Sequence, residues 1–293
     1  MKKLLIMTGK TLIFFVGWAL LASLSPIPNL SNGAVWRFWA ELIPFLSIVG
    51  LTIIFWLFEK RKIKLHIVSS PLKNSAIGIV AGIIWIGMVT LILISFGTMR
   101  IVEHNIVFML WLWIFSVFIN TIMQELLVRG YLYQMLKTNY NVFVATIITT
   151  ALFTFMHGGA FEAGIIPVMN VLTMSLLMTI VLEYTQSLIA PIMMHFIWNC
   201  VGAIILGGVS LADDYPNLFV TEFTGNVLLS GGTPKMEGSI VVLILNIVLI
   251  LGFDGCPLSC YFSGSVDHNF AGHIVTSRSV GRGMGLSYTC PVC

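Results

Sequence analysis

Apolar runs of about 20 residues, long enough to cross a hydrocarbon core of ~30 Å, recur along most of the chain. They fall at 11–25, 36–58, 75–99, 106–128, 141–157, 164–183, 187–208 and 238–253. The runs are continuous rather than alternating. A backbone in lipid must satisfy its own N–H and C=O groups, so each run predicts a helix and not a barrel strand. The expected fold class is all-α: a polytopic transmembrane helical bundle of about eight spans, followed by an irregular C-terminal tail. Lys2, Lys3 and Lys10 precede a first run that ends in "LLASLSP", the shape of a signal peptide. Seven further spans behind it favour an uncleaved first helix.

The polar positions divide the chain. Residues 1–104 carry charges only at the ends of their apolar runs and read as scaffold. Residues 105–208 hold ionisable and amide side chains inside the runs: Asn120, Gln124, Glu125, Arg129, His157, Asn170, His195 and Asn199. Such groups are expensive in hydrocarbon and usually line a cavity or pathway, so this region is expected to carry the chemistry. Residues 209–253 form an outer loop and a last helix. Residues 254–293 are a Cys/Gly-rich tail holding Cys256, Cys260, Cys290 and Cys293 as C-x3-C and C-x2-C. A structural zinc site is one reading of those pairs; a disordered or out-of-frame terminus is the preferred one, and no chemistry is assigned to it.

Composition agrees with the pattern. The chain is 58% hydrophobic and 9% charged, with a mean hydropathy of +0.98, where soluble domains hold about 25% charged residues. The net charge of +3 describes orientation and not a nucleic-acid footprint. The run "EKRKIKLH", Glu59 to His66, together with Lys2, Lys3, Lys10, Lys73, Arg129 and Lys137, places both termini on the cytoplasmic side of the cell membrane. Arg37, Arg100, Lys235 and the acidic stretch "LADDYPNLFVTEF" then face outward. Glu162, Glu183, Asp213, Asp214 and Glu222 are expected in connecting loops. His66, His104, His268 and His273 have no identifiable partner.

Residues four apart share a helix face, so Glu125 pairs with Arg129 in "QELLVRG", Phe153 with His157 in "FTFMH", and His195 with Asn199 in "HFIWN". Counting ~1.5 Å per residue from the cytoplasmic ends puts Glu125 about 18 Å, His157 about 24 Å and His195 about 12 Å into the bundle. These depths allow the three to meet. A glutamate, two histidines and an amide are the parts required for amide hydrolysis, with a base to activate water and donors for the developing oxyanion. His157, His195 and Glu125 are also ordinary zinc ligands, should the site be metal-dependent.

"QELLVRG", "FTFMH" and "HFIWN" resemble, in order and helix placement, the three motifs of the CAAX prenyl endopeptidase and Abi family of intramembrane proteases. In that family the motifs read E-E-x-x-x-R, F-x-x-x-H and H-x-x-x-N. The resemblance covers roughly residues 105–208 and implies a membrane endopeptidase acting on a peptide or protein, prenylated or bacteriocin-like, inside the bilayer. It further implies that the first-motif acid and His157 activate water, that His195 and Asn199 form an oxyanion hole, and that Arg129 belongs to the first motif. Gln124 departs from the pattern, since it stands where the family has its first glutamate, and a glutamine cannot accept a proton as a base. Glu125 lies about 100° further round the helix and is not a simple replacement.

Three readings therefore compete. The Glu125, His157, His195 cluster favours an endopeptidase, and Gln124 favours a non-catalytic peptide-binding or immunity protein of the same family. An ion-coupled transporter would use Glu125 as a proton site, but the chain shows no internal repeat of paired halves. Simpler structural roles also exist for each group. Glu125 and Arg129 could be a buried pair fixing helix register, His157 a helix-end side chain bonded to a carbonyl, and His195 and Asn199 interhelical contacts.

Overall fold

The structure, a computed structural model, describes residues 2–210 and 214–254. Asp213 and the cysteine-bearing tail beyond residue 254 lie outside the described residues. Helices α1 (Lys2–Leu24), α2 (Gly33–Phe58) and α3 (Pro71–Ser95) match the first three expected spans. The fourth is longer than expected: α4 (Leu110–Glu125), a π-helical turn (Leu126–Gly130) and α5 (Tyr131–Asn139) form one continuous 30-residue segment. After α6 (Val142–Met156) and the short α7 (Gly158–Ala163) come α8 (Ile165–Thr185) and α9 (Ile189–Asn199), which runs into a second π-helical turn (Cys200–Ile205). A short α10 (Val227–Ser230) precedes α11 (Ile240–Asp254). Among the described residues, five helical segments are long and apolar enough to cross a membrane, and three shorter apolar ones accompany them at Val142–Met156, Ile189–Ile205 and Ile240–Phe253. The fold is an all-α polytopic bundle.

Local chemistry sets the boundaries. Asn32 Oδ1 accepts the Val35 amide at 3.1 Å and Asn141 Oδ1 the Val144 amide at 2.8 Å, which caps α2 and α6. Pro71 opens α3, where its missing N–H costs nothing. One element was not expected: β1 (Met99–His104) pairs antiparallel with β2 (Phe219–Phe223), with a bulge between Ile101 and Glu103. The ribbon joins two connections far apart in sequence, which periodicity within six residues could not reveal. It also moves Glu222 from the expected loop into a strand, opposite Arg100. Glu183 likewise leaves the loop reading, because it sits in the last turn of α8 and binds Lys137 Nζ at 2.7 Å.

The most extensive helix pair is α3 with α9. Gly78 and Gly82, one turn apart on α3, allow it. A Cβ on Gly78 would clash with the carbonyl oxygen of Ala190, and one on Gly82 would come within 2.8 Å of Ile197 Cβ. Trp85 of α3 stacks on Trp198 of α9 with ring centroids 4.1 Å apart. Small residues that let backbones approach are the usual basis of helix pairing in lipid. Here they fix the position of the helix that carries His195 and Asn199. The Gly78→Ala variant should lose about 1–3 kcal/mol of stability, read as a lower unfolding midpoint in detergent. Gly87→Ala, on the same helix with nothing within 4 Å of the added carbon, should not fall.

Candidate active site

Arg129 organises the interior. It is fully buried, and each of its three nitrogens donates. Nη1 binds Glu125 Oε2 at 2.8 Å. Nε binds Thr179 Oγ1 at 3.1 Å. Nη2 binds the carbonyl oxygen of Ser175 at 2.7 Å and its hydroxyl at 2.8 Å. The guanidinium also lies 5.2 Å from the centre of the Phe153 ring, within cation–π range. Arg129 belongs to the π-helical turn that begins immediately after Glu125, and the turn after Asn199 is π-helical too. Such turns occur often at functional positions because they re-aim side chains that a regular helix would fix.

The second oxygen of Glu125, Oε1, contacts His195 Nδ1 at 2.8 Å. Both residues are buried, at 0% and 2% exposure. With a carboxylate as acceptor, Nδ1 carries the hydrogen. His157 behaves similarly. It caps the end of α6, half-buried, and its Nδ1 lies 2.8 Å from the carbonyl oxygen of Phe153. A carbonyl can only accept, so Nδ1–H donates there as well. The Nε2 atoms of both rings have no hydrogen-bond partner among the described residues. Phe153 links the two, with its ring centre 4.4 Å from that of His157 and 6.0 Å from that of His195.

The structure thus brings Glu125, Arg129 and His195 into direct contact and joins His157 to them through Phe153. Asn199 lies one turn beyond His195, and its Nδ2 reaches Thr121 Oγ1 at a long 3.4 Å. Gln124 takes a different direction: its Nε2 donates to Asn120 Oδ1 at 2.7 Å. Asn120 in turn donates to Glu41 Oε2 at 2.8 Å. Asn170 is remote from the cluster and binds the carbonyl oxygens of Glu237 and Ser239. Among the described residues no group of three or more His, Cys, Asp or Glu side chains is arranged to hold a metal ion. His157, His195 and Glu125 do not form one, since both oxygens of Glu125 are turned to Arg129 and His195.

Sequence reasoning missed Glu41, although the signal was present. Arg37 and Glu41 stand four apart inside an apolar run, the same spacing that drew attention to Glu125 and Arg129, and they form an ion pair at 3.1 Å. Ser175 and Thr179 escaped notice because small hydroxyl residues are common in membrane helices and carry no charge. Tyr215, in the loop before β2, also reaches Glu41, with its hydroxyl 3.0 Å from Oε1. Burial, and then the neighbouring Glu41 carboxylate, push that phenol above its ordinary pKa, so it remains a donor.

A multi-helix membrane protein with a buried carboxylate, guanidinium and two tethered histidines defines a class in which polar chemistry is assembled inside the bundle. Residues 106–201, about a third of the chain, match the family described as type II CAAX prenyl endopeptidase Rce1-like. That segment contains all three of the motifs singled out in the sequence, so the match and the motifs point to the same family likeness. Comparison with curated proteins and with solved structures returned no match.

Replacing Arg129 removes the partner of a fully buried carboxylate and leaves the groups of α8 unanswered. Arg129→Ala should destabilise the bundle by about 3–5 kcal/mol, the range for breaking a buried pair from one side. Arg129→Lys should recover only part of this, because an ammonium cannot reproduce the planar fork. Unfolding midpoints in one detergent check both.

Proposed function

We propose that the protein is an intramembrane endopeptidase of the CAAX-processing type that hydrolyses a peptide bond in a peptide or protein substrate. A prenylated substrate is the class the family description suggests. The observation that carries this reading is the tethering of both histidines through Nδ1, His195 to the Glu125 carboxylate and His157 to the Phe153 carbonyl, which leaves both Nε2 atoms free.

The roles follow from that division. His157, tied to a neutral carbonyl, offers a basic Nε2 that takes a proton from water as the water attacks the scissile carbonyl. His195, when protonated, forms an ion pair with Glu125, and its Nε2–H can then donate to the developing oxyanion beside the Asn199 amide. The proton held by His157 passes to the leaving amine, which closes the cycle. Glu125 is a positioning residue in this scheme. Accepting a proton from water would require it to give up a bond to Arg129 or His195. Zinc is not assigned a role. The chain would lie in the cell membrane with both termini cytoplasmic, following the distribution of Lys and Arg.

Gln124 supports a second reading, in which the site binds a peptide or bacteriocin-like ligand without cutting it, as an immunity protein would. One experiment separates the two. Purified protein is incubated with a set of farnesylated and unmodified peptides, with and without chelator, and products are measured by mass spectrometry. The endopeptidase reading predicts cleavage that survives the chelator. His157→Ala should then be slower by about 10²–10⁴-fold, the usual worth of a general base, with little change in unfolding midpoint. Binding of the same peptides with no product from wild type would favour the immunity reading.

A further inference from the structure

Gln124 belongs to a chain of hydrogen bonds that leaves the Glu125 cluster and ends on α2. Gln124 Nε2 donates to Asn120 Oδ1, and Asn120 Nδ2 donates to Glu41 Oε2. The other oxygen of Glu41 accepts from Arg37 Nη1 at 3.1 Å and from the Tyr215 hydroxyl at 3.0 Å. Arg37 also pairs with Asp214. Glu41, at the centre of the chain, is only 5% exposed, while its Asp214 end is exposed.

Each link in this chain has a forced direction. A carboxylate paired with arginine accepts and does not donate. Asn120 must therefore turn its amino group to Glu41 and its carbonyl to position 124. Whatever stands at 124 has to donate to that carbonyl. Glutamine does so through Nε2. An ionised glutamate of the same shape would set an oxygen against an oxygen. Asn120 could relieve this only by turning its own oxygen toward Glu41, which moves the conflict one link along. The free end is equally defined: Gln124 Oε1 is buried and has no partner.

We propose that Glu41 and Asn120 are positioning residues that select glutamine at position 124 and hold its carbonyl oxygen as an acceptor for substrate. The acid missing from the first motif would then be carried two side chains away, at Glu41, under the control of Arg37 and Tyr215. The phrase "for substrate" rests on the endopeptidase reading; the direction of the chain does not.

The direction can be reversed by exchanging charge between its ends. In Glu41→Gln with Gln124→Glu, the amide at 41 donates to Asn120 Oδ1 and still accepts from Arg37 and Tyr215. Asn120 then donates to the new carboxylate, so every link is satisfied again. The test is a double-variant cycle on the purified full chain at pH 8, reading the unfolding midpoint in one detergent. Gln124→Glu alone should fall by roughly 5 °C, and Glu41→Gln alone should also fall. The double variant should recover most of both losses, since Glu41→Gln changes sign from harmful to helpful in the second background. A purely steric role for these residues would give additive losses. Additive losses, or a Gln124→Glu protein as stable as wild type, would overturn the proposal.

If Gln124→Glu cannot be recovered from membranes, yield replaces the midpoint. The proposal then requires the double variant to be recovered, and an equal absence of both overturns it. Peptide cleavage is read on the same proteins. Failure of every variant to cut, beside an intact stability cycle, would reject the endopeptidase reading and leave the polarity chain standing.

Discussion

A guanidinium removed from water must have its donors answered, and the interior of this bundle is arranged around that requirement at Arg129. One side chain draws on α4 for Glu125, on α8 for Ser175 and Thr179, and on α6 for the face of Phe153. Glu125 extends the reach to α9 through His195. In lipid there is little hydrophobic force to hold helices in register, because the tails are as apolar as leucine. An interior cation with partners on several helices supplies that register, since a displacement of any one of them leaves a buried donor unmet.

The same arrangement decides which groups are available for chemistry. Glu125 spends one oxygen on the cation and one on His195, which is why the proposed function has it act through others. The groups left free are the Nε2 atoms of His157 and His195 and the carbonyl oxygen of Gln124. In the proposed scheme two acids serve as anchors, Glu125 for the histidines and Glu41 for Gln124, each with an arginine four residues away in its own helical segment.

Much of this was legible in the chain. Continuous apolar runs located the eight apolar helices found among the described residues, because a backbone in lipid has few alternatives to a helix. The spacing of Glu125 and Arg129 gave a contact that the π-helical turn between them did not disrupt. The helix-end reading of His157 proved compatible with the active-site one, since the bond to Phe153 occupies only one ring nitrogen. What escaped was long-range. The β1–β2 ribbon joins segments more than a hundred residues apart, and Tyr215 comes to Glu41 from the loop before β2. Gly78 and Gly82 carry no polar signal, although the approach of α9 depends on them. Each of these is a pairing between distant segments, and a pattern read along one segment at a time does not contain it.

The central claim is that both histidines are held by Nδ1–H, to a carboxylate in one case and to a carbonyl in the other, with Nε2 left free. Solid-state ¹⁵N NMR of ring-labelled histidine in the membrane-embedded protein measures this directly, with His157→Ala and His195→Ala used for assignment. The account predicts that the neutral form of each ring carries its proton on Nδ1. It also predicts that Glu125→Gln alters the His195 signals while leaving those of His157 on Nδ1. An Nε2–H tautomer at His157, or His195 signals indifferent to the loss of the Glu125 carboxylate, would contradict it.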